Sequence, residues 1–289
     1  MALFTLFSDS SADLSADLIK KHDIQIITFG VTLDGLTYFR DGVDKSHTEF
    51  FEILSNEKVF PKTSTPSIAD YADAFTPALQ AGQDVVCVCL SSGFSASSQS
   101  ALNAKSMLEE EYPERQIHIV DSRLAAAVQG LLVLNAAKLR DEGKTAAETA
   151  AILDDIKQRS KVYLTMDSLE YLQRGGRIGK GAAFAGTLLN IKPILAIENG
   201  VVAPKVKARG RKKALSEMLN FLLDDVRGNE SAYDFVAVYA ANKEECEEIA
   251  KNMRETHGLT LPYDVWQLGA TIGAHAGPTV VGVGYVPKV

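Results

Sequence analysis

The sequence predicts an α/β fold, and three observations carry that prediction. Short apolar runs alternate with amphipathic helical stretches through the first half of the chain. Hydroxyl-rich loops recur, and one of them, Ser91-Ser92-Gly93-Phe94-Ser95, directly follows an apolar run and leads into a helical pattern. An open α/β sheet builds its ligand sites in this way, beyond the carboxyl ends of its strands. After Lys161 the pattern changes to strand pairs punctuated by turn residues. The expected architecture is therefore a parallel sheet with helices on both faces in residues 1–160, followed by a smaller α/β C-terminal domain in residues 161–289.

Taken in order, residues 3–7 form a short strand that ends in Ser8-Asp9-Ser10-Ser11-Ala12-Asp13, and a helical pattern covers 15–22. Residues 24–33 are strand-like, and Asp34-Gly35 marks a hairpin turn. Ser46 with Glu49 is a capping box ahead of Phe50, Phe51 and Leu54, and Ser67 with Asp70 is a second helix start. Residues 85–90 read as a buried strand, 95–111 as a helix, and 117–120 as a strand ending in Asp121-Ser122. Two alanine-rich helices follow at 124–142 and 145–160, the second capped by Thr145 and Glu148. In the second half, 162–166 is a strand, and a short helix ends at Gly175-Gly176. Residues 192–198 and 201–207 flank Asn199-Gly200, a pair that favours a type I′ hairpin turn. A helix at 214–226, a strand at 235–240, a helix at 244–257 and a Gly/Val-rich stretch at 269–286 complete the chain. The loops at Asp9, Thr63, Ser95 and Asp121 are expected along one rim of the first sheet.

Composition narrows the function. Apolar residues make up 46% and charged residues 23% of 289, which fits a globular protein with a real core and excludes a disordered chain. The net charge of −7 gives the whole protein no attraction for nucleic acid or an anionic membrane. Basic residues do cluster at Lys205, Lys207, Arg209, Arg211, Lys212 and Lys213, a run that either faces water or meets a phosphate or acidic partner. Cys87 and Cys89 alternate within one strand and face the same side, so reduced core thiols and a cytoplasmic setting are expected. Neither CxxC spacing nor clustered histidines suggests a metal. Residues 1–7 lack a basic start and meet Asp9 at once, so they read as a strand rather than a signal peptide. No apolar run approaches the length of a membrane span.

Two catalytic motifs are approached and missed. Arg177-Ile178-Gly179-Lys180-Gly181 has Arg174 where a P-loop needs its first glycine, and Gly181 where it needs Ser or Thr. Gly93-Phe94-Ser95-Ala96-Ser97 has Ser97 where a nucleophile elbow needs its second glycine. A serine hydrolase using Ser95 with His275 as base remains an alternative, although no motif selects its carboxylate. Helix capping alone explains one of the serines at 91, 92 and 95. It explains neither the second hydroxyl loop, Lys62-Thr63-Ser64-Thr65-Pro66-Ser67, nor the glycine-flanked His275 of Gly273-Ala274-His275-Ala276-Gly277-Pro278. Two such loops suit an anion such as a carboxylate or phosphate. Sequence-specific DNA reading is not expected, because no helix-turn-helix, zinc or RNA-binding motif is present.

Five segments in register resemble the DegV family, bacterial fatty-acid-binding proteins that partner a fatty acid kinase. They are Asp9-Ser10-Ser11-Ala12-Asp13, Pro61-Lys62-Thr63-Ser64-Thr65-Pro66-Ser67, Leu90-Ser91-Ser92-Gly93-Phe94-Ser95, Tyr171-Leu172-Gln173-Arg174-Gly175-Gly176-Arg177-Ile178, and the stretch 272–284 with His275 and Gly277-Pro278. The resemblance implies a two-domain α/β protein with a long-chain, palmitate-like fatty acid in a cleft between the domains. It implies no catalysis by this chain alone and no cofactor or metal. The kinase subunit would phosphorylate the carboxylate in place, and the acyl phosphate would feed phospholipid synthesis, with transient membrane contact as a further implication.

By motif position, Thr63 and Ser95 are expected to hold the carboxylate first, then Ser64, Ser92 and His275. Arg209, with Arg174 second, is expected on the kinase-facing surface. Thr65 stands where the family commonly has Gln, and Ala96 where Gly is common; both changes leave the hydroxyls intact. Burying each methylene contributes about 0.8 kcal/mol, so the tail needs apolar walls, for which Phe184, Leu188, Leu189, Ile191 and Ile194 are candidates. A dihydroxyacetone-kinase-like subunit shares this broad architecture but needs a histidine that binds a ketone covalently.

Overall fold

The computed structural model describes residues 3–184 and 190–289. The first half runs β1 (Phe4–Asp9), α1 (Ala16–Lys21), β2 (Ile24–Ile27), β3 (Gly30–Thr32), β4 (Phe39–Arg40), α2 (His47–Asn56) and β5 (Lys62–Ser64). It continues through α3 (Ile68–Gln80), β6 (Asp84–Cys89), α4 (Ser97–Glu111), β7 (Ile117–Asp121), α5 (Ala126–Asp141) and α6 (Ala146–Ile156). The second half runs β8 (Lys161–Thr165), α7 (Glu170–Arg174), β9 (Ile191–Glu198), β10 (Val201–Arg209), α8 (Arg211–Val226) and β11 (Tyr233–Tyr239). It ends with α9 (Lys243–Glu255), β12 (Trp266–Gln267), α10 (Ala270–Ala276) and β13 (Val281–Pro287).

Among the described residues the strands form three sheets. One is four-stranded in the order β2-β1-β6-β7, and every pairing in it is parallel. The second, in the order β10-β9-β8-β13-β11-β12, is six-stranded and antiparallel except for the β11–β12 pair. The third is a small antiparallel sheet, β4-β3-β5. An α/β fold with a parallel sheet is thus what the alternating pattern predicts. The second half, expected to be the smaller unit, nevertheless carries the larger sheet.

Helix α5 explains how the two large sheets meet. Its sequence is mostly apolar, and 14 of its 16 residues are buried, as expected for a helix with little face to present to water. It packs on β1 and β6 of one sheet and on β11 and β13 of the other. A single apolar cluster therefore runs from Phe4 and Leu6 through Leu131 and Leu132 to Val236 and Val238.

Local sequence rules account for most element ends. Ser67 with Asp70 and Thr145 with Glu148 form complete capping boxes. Ser46 accepts from the Glu49 N–H, but the Glu49 carboxylate turns to Lys45, so that box is half made. Asn199 (φ 52°) and Gly200 (φ 80°) both have the positive φ of a type I′ turn between β9 and β10. Cys87 and Cys89 are free and buried, with sulfurs 3.6 Å apart.

The expected single strand over 24–33 is instead two, β2 and β3, in different sheets. The break falls at Phe29, whose N–H donates to Ser10 Oγ and whose carbonyl accepts from the Asp41 N–H. These bonds take the backbone out of the parallel ladder and turn it toward β4.

Candidate functional site

The carboxyl ends of β1, β6 and β7 carry Asp9, the Ser91–Ser95 turn and Asp121, and β5 brings Thr63 beside them. Asp9 is fully buried and accepts four hydrogen bonds. Ser11 Oγ (2.5 Å) and Gln129 Nε2 (3.0 Å) reach Oδ1, while the Leu90 N–H (2.9 Å) and Ser97 Oγ (2.7 Å) reach Oδ2. Burial pushes its carboxyl up from the ordinary range, and the bonds from Ser11, Leu90, Ser97 and Gln129 pull it back. This one side chain ties β1, the end of β6, the start of α4 and the first turn of α5 together. It fixes the loop on which Ser95 stands. Sequence reading placed Asp9 on the rim but gave it no role.

The same loop is docked on the second half of the chain. Ser91 Oγ donates to the Gly200 carbonyl at 2.7 Å. A Cβ at Gly93 would come within 2.3 Å of that same oxygen, so only glycine permits the contact.

Thr63, Ser95 and His275 line one apolar cavity of about 90 Å³, together with Thr65 and Arg177. Thr63 Oγ1 and His275 Nε2 are 2.9 Å apart. Ser95 Oγ lies 3.2 Å from Thr65 Oγ1 and accepts from the Ser97 N–H at 3.1 Å. Thr65, where the sequence departs from the family pattern, therefore adds a hydroxyl directly to Ser95. The apolar walls include Phe29, Leu90, Leu164, Ile197 and Val202.

His275 belongs to α10, which ends at Gly277 (φ 82°) with its backbone against the Tyr171 ring. Its Nδ1 is buried and has no hydrogen-bond partner among the described residues. A Cβ at Gly175 would approach that nitrogen to 2.2 Å, which leaves the imidazole room only while position 175 is glycine. Burial, and then the nearby Arg177 charge, lower the His275 pKa to about 4, so the ring is neutral at pH 7.

A second cavity of about 480 Å³ lies on the other side of this group and shares Thr63, Arg177 and His275 with the first. Its walls are basic and aromatic. Arg174 sits 3.9 Å over the Phe60 ring, Phe60 packs against Tyr171, and Lys62 and Arg177 complete it. Arg177 Nε donates to the Phe94 carbonyl at 3.0 Å, and Nη1 to the Gly175 carbonyl at 2.6 Å. Arg177 is thus the cation beside the hydroxyl group, a role that sequence reading missed. The signal was the Arg-Gly-Gly-Arg turn, in which the glycines bring the second arginine back toward the cavity.

Other expected residues fall elsewhere. Ser64 follows Thr63 on β5 and so points to the opposite face, against Gly30, and it lines neither cavity. The Ser92 hydroxyl is exposed and committed to Asp121 Oδ2 at 2.5 Å. Arg209 is exposed at the end of β10 and lines neither cavity. Much of the basic run is paired: Arg211 with Glu245 and Asp167, Lys205 with Glu198, and Lys213 with Glu217. Of the expected tail-lining residues, Ile194 faces the other side of its sheet, against Met218 and Leu222 under α8. Leu188, Leu189 and the Phe184 side chain lie outside the described residues. The hydrolase arrangement is not assembled among the described residues, because the His275 partner is Thr63 rather than Ser95, and none of their carboxylates orients Nδ1. Among the described residues no group of three or more His, Cys, Asp or Glu side chains is placed to hold a metal ion. Nor is any helix among them long and apolar enough to cross a membrane.

Comparison with known proteins places this geometry in a family. The model described as "Uncharacterised protein, DegV family" matches residues 4–288. A DegV domain-containing protein of Streptococcus pyogenes serotype M1 is 32% identical over 281 residues, 97% of this chain and 96% of that one. Among solved structures, a fatty acid (stearic acid)-binding protein from Eubacterium ventriosum superposes with a TM-score of 0.93 at 33% identity, covering 99% of this chain and 98% of that one. A DegV family protein from Thermus thermophilus, described by its fatty acid binding, gives 0.89 at 32% identity, covering 99% and 100%. DegV of Bacillus subtilis, a fatty acid binding protein, gives 0.87 at 28% identity over the whole of both chains. The chain belongs to the DegV family.

Proposed function

We propose that this protein binds a long-chain, palmitate-like fatty acid and presents its carboxylate to a fatty acid kinase, which converts it to an acyl phosphate for phospholipid synthesis. The carrying observation is that Thr63, Ser95 and neutral His275 line one apolar cavity, Thr63 bonded to His275 and Ser95 to Thr65. Fatty acid binding by the Eubacterium and Thermus relatives supports the same reading.

The hydrogen-bond directions suit a carboxylate. With its proton on Nε2, His275 donates to Thr63 Oγ1, and the Thr63 hydroxyl is free to donate forward. The Ser97 N–H plays the same part behind Ser95. Thr63 then receives one bond, Ser95 receives bonds from the Ser97 N–H and, with Thr65 as donor, from Thr65 Oγ1, and each offers its own proton to the ligand. Neutral donors hold the carboxylate without quenching it, which leaves its oxygen nucleophilic toward a phosphoryl donor. Arg177, its guanidinium already shared with two carbonyls, adds positive potential from the side.

The basic vestibule lined by Lys62, Arg174 and Arg177 leads to this carboxylate position, and it is the side from which the kinase would work. Arg209 is assigned to the docking surface beyond it. In this reading the chain is a carrier in the cytoplasm rather than a catalyst, and its two lobes divide at residues 1–160 and 161–289. The Thr63→Ala, Ser95→Ala double variant tests the head-group assignment. It should purify with far less bound lipid than the native protein, and equal retention would remove the assignment.

A further inference from the structure

A third cavity lies away from the hydroxyl site. It measures about 840 Å³ and opens between the start of α1, β2, the loop at residues 41–47 and the segment 261–267. It and the Thr63–His275 pair sit at opposite ends of α10, since Asp41 accepts from the Ala270 and Thr271 N–H groups at the helix start.

Three buried carboxylates line it: Asp9, whose four hydrogen bonds are described above, Asp41 and Asp13. Asp41, 2% exposed, is fully engaged: its oxygens accept from Ala270 N–H (2.9 Å), Thr271 N–H (3.1 Å) and Thr271 Oγ1 (2.6 Å), and His47 Nε2 lies 3.3 Å away. Asp13 is different. It is 6% exposed and lines the cavity, and neither of its oxygens makes a well-formed hydrogen bond among the described residues. A Cβ at Gly269 would stand 2.6 Å from Asp13 Oδ1, 3.3 Å from Asp41 Oδ2 and 3.4 Å from His47 Nε2, so the three groups crowd one glycine. Burial, and then the Asp41 charge, push the Asp13 carboxyl well above the ordinary carboxylate range, with the nearby Gly269 N–H offsetting part of that rise and the Asp9 charge adding to it. A buried carboxyl with so little support either holds a proton or pairs with a cation, and a cation that enters the cavity displaces that proton. Among the described residues no group of three or more His, Cys, Asp or Glu side chains is placed to hold a metal ion, which favours an organic cation here. Half-buried Leu18, Ile19, Ile26 and Tyr263 offer an apolar wall, and the buried Trp266 lies behind Tyr263.

We infer that this cavity is a binding site for a small organic ammonium with an apolar body, its nitrogen paired with Asp13. The single tryptophan of the chain, Trp266, lines the cavity and reports on it directly. The test titrates the full-length protein with 2-phenylethylammonium and with its neutral counterpart 2-phenylethanol, following Trp266 emission. The expected result is a saturable shift with the amine, at least tenfold weaker with the alcohol, and lost in Asp13→Asn. Asparagine tolerates the left-handed φ of 53° at this position, so the backbone is kept. Equal responses to amine and alcohol, no saturable response, or an unchanged response in a folded Asp13→Asn protein would each overturn the site. The amine–alcohol comparison on the native protein stands even where the variant does not fold.

Discussion

Thr63 Oγ1 and His275 Nε2 are 2.9 Å apart although 212 residues separate them in the chain. This bond joins the edge of the small sheet to the last helix, so the pair forms only when the two halves of the chain are packed together. If the pair holds a carboxylate, removing either hydroxyl of the site has a defined cost. Thr63→Ala and Ser95→Ala should each weaken fatty acid binding by about 1.5–3 kcal/mol, the value of a hydrogen bond to a charged group. Calorimetry on delipidated protein measures this directly. A variant that binds as tightly as the native chain would take that residue out of the site.

The neutral imidazole gives a pH signature. Unfolded His275 titrates near 6.5 and the folded residue near 4, so the unfolded state binds the extra proton between these values. Stability should therefore fall as the pH drops from about 6.5 to about 4, by roughly 3 kcal/mol in total, and this contribution should be constant above and below that window. A bound carboxylate next to Thr63 favours the charged ring and should raise the His275 pKa. Following the His275 imidazole by NMR with and without fatty acid checks both points, and a ring titrating near 6.5 in the free protein would contradict them.

Gly175 sets the imidazole in place. Gly175→Ala puts a methyl 2.2 Å from the original position of His275 Nδ1 and must displace the ring. The expected outcome is a folded protein whose fatty acid affinity falls at least about tenfold, the equivalent of 1.4 kcal/mol. Thermal unfolding and binding measured on the same sample separate this from general destabilisation.

Asp9 holds the loop of Ser95 from behind. Asp9→Asn keeps the shape but replaces one acceptor oxygen with a donor facing the donors of Ser11 and Gln129 or of Leu90 and Ser97. The cost should be about 3–5 kcal/mol, as for breaking a buried charged network. Denaturant titration would read this as a lower midpoint at constant slope, and a change under 1 kcal/mol would mean the network is dispensable.

Arginine substitutions separate binding from presentation. Arg209→Ala and Arg174→Ala should leave lipid affinity unchanged and lower acyl-phosphate formation when a fatty acid kinase and ATP are supplied. Normal turnover with both variants would remove the docking assignment.

Much of this was legible in the sequence, because local rules governed it. The Asn199-Gly200 turn, the capping residues and the strand–serine–helix passage at Ser95 are set by residues close in the chain. The failures came where distant groups decide. Ser64 and Ser92 carry the right chemistry, but strand alternation turns one away and Asp121 captures the other. Arg177 was overlooked because its position depends on how Gly175-Gly176 reverses the chain toward Phe94. Residues 24–33 read as one strand because their apolar run is continuous, whereas Ser10 and Asp41 interrupt its backbone pairing.

The central claim is that the chain carries a fatty acid, and the native mass of the untreated purified protein tests it most directly. The expected species is heavier than the polypeptide by one long-chain fatty acid, with the adduct reduced in the Thr63→Ala, Ser95→Ala variant. A mass equal to the bare polypeptide, with no adduct after incubation with palmitate, would contradict it.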